Sequence, residues 1–227
     1  MKRLNNTLKC RVFAFSLIDM LVVLVLVVLL YILVLPCLGR TAPQMQNSTQ
    51  IRGIHSALLL FSQGNNGYFP GMDAKGNLLQ DSTVETRFMM LLNDNYFTSE
   101  YLISPRDTKI AWQKGAFTTK NYSFAMLNLS DSQSIRLDEW RDTQNEDAIV
   151  LSDRMLAKNK KGHIRSIWTR NDDHWRGSIG WNDNHVTFEA THDQFQTKYG
   201  KSHFKNDSLF DYEGASMVYA GDMPIYD

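Results

Sequence analysis

Cysteine is nearly missing from this chain of 227 residues: Cys10 and Cys37 are the only two, and residues 38–227 contain none. That excludes a disulfide scaffold for everything after Cys37, so stability there must come from a core. Charge of one sign is missing too, because 24 basic residues balance 24 acidic ones. The few excess positives sit at one end, where Lys2, Arg3, Lys9 and Arg11 precede Ala14 with no acid among them. Without those four the chain carries 20 basic residues against 24 acidic ones, a net charge of −4. No basic groove for a nucleic acid is expected. No glycine-rich phosphate loop, nucleophile elbow or Cys/His dyad is present, so no enzymatic activity is expected. There is no internal repeat and no low-complexity tract.

What is there first is grease. From Phe15 to Leu35 only Ser16, Asp19 and the hydroxyl of Tyr31 interrupt an apolar run. As a helix, that run rises roughly 31 Å, which matches a bilayer core of about 30 Å. The basic leader should stay on the cytoplasmic side and the bulk of the chain on the other. Mean hydropathy is −0.32 even with this run included, so the remainder is a polar, water-soluble domain. Several anchors share this outline. A cleaved signal peptide has a shorter apolar core, of about 7–15 residues, and a small-x-small site that is not found here. A lipoprotein signal ending at Cys37 would want a small residue where Pro36 stands. A plain signal anchor accounts for length and orientation but leaves Asp19 unexplained, and a carboxylate in lipid costs about 2.5–3.5 kcal/mol.

The stretch "AFSLIDMLVVLVLVVLLYILVLP" resembles the N-terminal processing segment of type IV pilins and of the pseudopilins of type II secretion. In that family a basic leader ends in a small residue, and a prepilin peptidase cuts before a Phe and methylates the new amine. The resemblance implies cleavage between Ala14 and Phe15, with N-methylation of Phe15. Ser16, Leu17 and Ile18 match the pattern, and Asp19 stands at the assembly acid, where Glu is usual; Ala14 replaces the usual Gly. Pro36 matches a habitual proline of this helix. The resemblance further implies that the Phe15 ammonium of one subunit pairs with the Asp19 carboxylate of a neighbour. A charge that is costly alone then becomes tolerable and fixes the stagger of otherwise featureless helices.

Beyond Pro36, Ile51, Ile54, Leu58 and Phe61 are spaced to line one helical face, with Arg52, His55, Ser56 and Gln63 mostly on the other. Pro43 is expected to break this helix before Asn47, and "QGNNGYFPG" to end it. "SALLLFSQGNNGYFP" resembles the segment after the anchor in a planctomycete-type group of pilin-like proteins. That group often carries a C-terminal signature of a His followed about nine residues later by Asp-Gly-His. Here His174 is followed by Asp183, Asn184 and His185. Asn184, in the place of Gly, suits a positive-φ turn between two strands, "SIGW" and "HVTFEA". A short helix is expected around Glu85–Leu92, and strands over Asn121–Leu127 and Asp147–Arg154. The tail after Thr191 shows no period and reads as a loosely packed extension.

Other chemistry is thin. His174, Asp183 and His185 fit no zinc spacing. Calcium, held by some pseudopilins, could use Asn171–Asp173, Trp181–Asn184 or acids of the tail, but no spaced ligand loop is visible. No cofactor is expected. Asp153 reads as a strand-end turn residue ahead of a functional acid. Trp112, Trp140, Trp168, Trp175 and Trp181 read as core ahead of a carbohydrate-facing surface.

These readings give an α+β protein: a long N-terminal helix, transmembrane then stalk, packed on a C-terminal antiparallel head. The expected divisions are a cleaved leader (1–14), a transmembrane and assembly helix (15–36), a stalk helix and linker (37–66) and a soluble head (67–227). The resemblance implies a structural subunit of a pseudopilus or pilus-like filament in the bacterial inner membrane. Its partners would be a prepilin peptidase, other pilin-like subunits, and the assembly platform and ATPase. The alternative is a membrane-tethered periplasmic binding module that does not polymerise.

Overall fold

A computed structural model of the protein describes residues 17–130, 135–159, 163–169, 174–211, 213–219 and 225–226, without the side chains of residues 33–41, 159, 225 and 226. The chain mixes helix with mainly antiparallel sheet, an α+β architecture. It divides into two compact units, one running to Ala42 and the other Pro43–Asp227.

In the first unit the described residues belong to α1 (Leu17–Gly64). Every apolar side chain from Leu17 to Ile32 is exposed, from 47% at Val25 to 82% at Leu17. A helix that is apolar all round has no face suited to water, so it needs lipid or other helices about it. Among the described residues no helix is long and apolar enough to cross a membrane. The described side chains of the apolar run stop at Ile32, and residues 33–41 lie outside that statement.

The expected break at Pro43 is not found: α1 continues through it to Gly64. A proline removes one amide and crowds one carbonyl, which a helix held by tertiary packing can absorb as a local bend. In the second unit α1 buries Ile51, Ile54 and Leu58, as the apolar spacing predicts, and Ala57 with them, while Phe61 at the end of that stripe is half-buried. His55, expected on the polar side, is also fully buried. The buried arc is wider than the Ile/Leu stripe because the β-sheet and the loops around Phe69 and Trp140 both pack on the helix.

α1 ends in a turn where Asn66 and Gly67 take positive φ, at the Asn/Gly cluster that marks its end. The short helix α2 (Val84–Asn93) lies where the sequence places one. The Thr83 hydroxyl caps it by accepting from the Thr86 amide at 3.2 Å, and Val84, Phe88, Leu91 and Leu92 face the core.

The main sheet holds five strands: β1 (Phe124–Leu127), β2 (Ile149–Asp153), β5 (Gly177–Trp181), β6 (Val186–Glu189) and β9 (Met217–Val218). Their order is β6-β5-β2-β1-β9, with every neighbouring pair antiparallel. β1, β2 and β5 are buried at every position, so both faces of the sheet centre are covered. A register shift lies between Ile149 and Leu151 on β2. There the Tyr199 hydroxyl accepts from the Ile149 amide at 3.1 Å and donates to the Ile149 carbonyl at 2.8 Å. β3 (Ala157–Asn159), β4 (Ile164–Arg165) and β10 (Ile225–Tyr226) form a small second sheet.

The tail is not a loose extension. β7 (Phe195–Tyr199) and β8 (Ser202–Asp207) form a hairpin, β9 extends the main sheet, and Tyr199, Leu209 and Ala215 are fully buried. Its short strands, turning at Gly200, leave no period long enough to read from sequence. Trp140, Trp175 and Trp181 are core, whereas Trp112 and Trp168 are half-buried.

Candidate functional site

Two polar contacts join α1 to the sheet. The first centres on Asp153, the last residue of β2, which is fully buried. It closes the strand, as read from the sequence, but its side chain is buried and serves no turn. Its carboxylate accepts from Asn47 Nδ2 at 2.9 and 3.0 Å, from the Ser178 amide at 2.7 Å and from Trp168 Nε1 at 2.8 Å. Asn47, also fully buried, accepts at Oδ1 from the Ser104 hydroxyl at 2.6 Å, and its Nδ2 also reaches Ser178 Oγ at 3.0 Å. Ser104 is anchored in turn, its amide donating to Ser123 Oγ at 3.0 Å. One helix residue is thus tied to two strands and a loop.

Burial disfavours the charged form of Asp153 and lifts its pKa to about 6; the donors from Ser178, Asn47 and Trp168 pull the other way, and nearby Asp107 adds to the rise. Asp107 is itself paired with Arg154 at 3.1 Å. The chemistry available to Asp153 is that of an acceptor held in place, closed off from solvent by the groups that bond to it.

The second contact centres on His55, whose ring meets Phe69 edge-on at 5.9 Å. Both ring nitrogens are buried without a partner at bonding geometry, as are Oδ1 of Asn182 and Oδ1 of Asn184. Burial lowers the His55 pKa to about 4, opposed by the amides of Asn182 and Asn184 and by Asp183 and Asp142. Asn182 is fixed, since its Nδ2 donates to the Glu139 and Arg141 carbonyls at 2.7 and 2.9 Å and to Thr143 Oγ1 at 2.8 Å. Asn184 Nδ2 reaches Ser56 Oγ at 3.2 Å, and a hydroxyl can donate as well as accept.

The signature residues lie at this second contact and near it. β5 and β6 form the hairpin, and Asn184 at its turn has φ 69°. The His185 ring stacks on Trp181 at 5.2 Å and bonds to Asp183. Burial works against ionisation of Asp183, but the His185 amide and ring outweigh it and hold the carboxyl below its usual range. His174 is exposed ahead of β5 and is not joined to Asp183 or His185 by any of these bonds. Asp19 lies in the first turn of α1, exposed. Pro36 falls within α1, with its side chain outside the described residues; Ala14, Phe15 and Asn171–Asp173 also lie outside them.

A hollow of about 380 Å³ in the tail is lined by Asp207, Asp211 and Glu213. Asp207 already accepts from the Thr197 hydroxyl and from the amides of Ser208 and Ala215. Among the described residues no group of three His, Cys, Asp or Glu is arranged to hold a metal ion. Asn47, Ser104 and Ser178 carry no sequence signal that marks them; only Asp153, an acid closing an apolar strand, could have pointed to the network. No family model, curated protein or solved structure matches this chain.

Proposed function

We propose that the chain is a pilin-like or pseudopilin-like structural subunit of the bacterial inner membrane. A prepilin peptidase removes residues 1–14 and methylates Phe15. An assembly platform and its ATPase then draw the subunit into a type II secretion pseudopilus or a pilus-like filament. The observation that carries this reading is the order Ala14-Phe15-Ser16-Leu17-Ile18-Asp19 directly ahead of an apolar helix. The exposure of that helix on every side supports it, because helices of neighbouring copies and lipid are what such a surface accepts. So does the helix segment Pro43–Gly64 lying on an antiparallel sheet in a chain without enzyme motifs.

In this reading Asp19 is the registration group. Its carboxylate is matched, on assembly, by the amine that cleavage creates on the adjoining copy. The test is Asp19→Ala. Continued leader removal with loss of incorporation into filaments supports the subunit; unchanged behaviour, with no filament in either case, supports a tethered periplasmic module that works as a monomer.

A further inference from the structure

The helix segment in the folded unit is fastened at two buried points of opposite chemistry. At Asn47 the partner is a carboxylate, Asp153, ringed by N–H donors; at His55 the amides of Asn182 and Asn184 approach a ring whose nitrogens are buried without a bonded partner among the described residues, with the carboxylates of Asp183 and Asp142 nearby. Neither Asp153 nor His55 exposes any surface. Two strands and a loop converge on the first point, and the second is carried by a hairpin turn and the segment Glu139–Thr143.

We propose that these two points form an acid-responsive clamp, in which acidification releases the β5–β6 turn from α1 while the Asn47–Asp153 end holds. The device belongs to the folded unit alone and does not depend on whether the chain polymerises.

The argument is one of linkage. Opening at the turn lets water reach His55, which then takes a proton near 6.5, whereas the closed site resists until about 4. The population open at that end therefore rises roughly tenfold per pH unit as pH falls between those values. Asp183 and Asp142 face the closed ring and favour its charged form, so they oppose the opening, but burial of the ring outweighs them. At the other end the sign reverses. Asp153 binds its proton at about 6 when closed but at 3.8 when released, so acid favours closure there. The charges around it are Asp107, which opposes ionisation, Arg154, which is paired to Asp107, and Arg106, whose guanidinium lies 5.2 Å over the Trp168 ring. Release bares the helix-facing side of Asn182 and Asn184 and the His55 ring they cover.

The test is hydrogen exchange of the full chain in detergent micelles, read as protection factors at pH 7 and 4.5. The expected result is a loss of protection at the Asn182 and Asn184 amides on the order of tenfold to a hundredfold, with the Ser178 amide held or better protected. His55→Gln, neutral throughout, is expected to abolish the loss. Should that variant fail to fold, the ¹⁵N shifts of the wild-type imidazole decide: a neutral ring at pH 5.5 supports the clamp. An equal loss at both ends, no loss at the turn, or a His55 ring already charged at pH 6 overturns it.

Discussion

Ile51 of α1 lies over Gly180 of β5 so closely that a β-carbon on the glycine would come 2.7 Å from Ile51 Cγ2 and 3.3 Å from Leu151 Cβ. The glycine is what lets the helix reach the centre of the sheet, and the space is already filled by an isoleucine without exposure. Gly180→Ala is expected to cost about 1–3 kcal/mol, as overpacking does. Adding Ile51→Ala should make the pair cost less than the sum of the two changes, since the clash is then gone. Thermal or denaturant unfolding of the four proteins measures this coupling; strict additivity would falsify it.

The Asp153 network makes a prediction of a different kind. Asn47→Leu keeps the bulk but leaves a buried carboxylate short of two contacts. It should destabilise by roughly 3 kcal/mol or more, against about 1 kcal/mol for Ser104→Ala, which removes a single donor. Asp153→Asn should be milder than Asn47→Leu, because a neutral amide in that place carries no charge to strand. Chemical denaturation at pH 7 ranks the three; an Asn47→Leu protein as stable as Ser104→Ala contradicts the network's weight.

At the hairpin, Asn184 sits at φ 69°, where glycine is at ease and a β-branched residue is strained. Asn184→Val should cost about 1–3 kcal/mol, the range for a side chain held in a sparse backbone region. Asn184→Gly should stay within about 1 kcal/mol, losing the amide contact with Ser56 while relaxing the turn. Equal losses in the two variants would place the role of Asn184 in its side chain and not in its backbone.

Global stability should respond to pH less than either buried group implies. The pKa of His55 is depressed when folded, so its contribution is present above 6.5 and lost as pH falls through about 4. The pKa of Asp153 is raised when folded, so its contribution is present below 3.8 and lost as pH rises through about 6. Each amounts to about 3 kcal/mol across its window, and over pH 4–6 the two oppose. The wild-type free energy should be nearly level there. Asp153→Asn should lose stability as pH falls, and His55→Gln should gain it. Urea titrations at pH 4, 5 and 6 measure the three slopes; a steep wild-type slope contradicts the balance.

What could be read in the sequence was what repeats locally. The Ile51–Leu58 stripe, α2, β1, β2 and the β5–β6 hairpin announce themselves through helical or alternating spacing and through turn residues such as Asn184. His55 was misplaced because a polar ring between two apolar positions looks solvent-facing until a second layer covers it. Pro43 signalled a break that tertiary packing overrides. The β7–β8 strands were hidden by their brevity, and the Asn47–Asp153 pair joins residues 106 apart, a distance over which no periodicity speaks.

The central claim, that cleavage before Phe15 prepares an amine to meet Asp19, is tested most directly by the intact mass and terminal sequence of the mature protein from its native membrane. The account predicts a chain that starts with N-methylated Phe15. A chain that retains residues 1–14, or one that starts at Cys37, contradicts it.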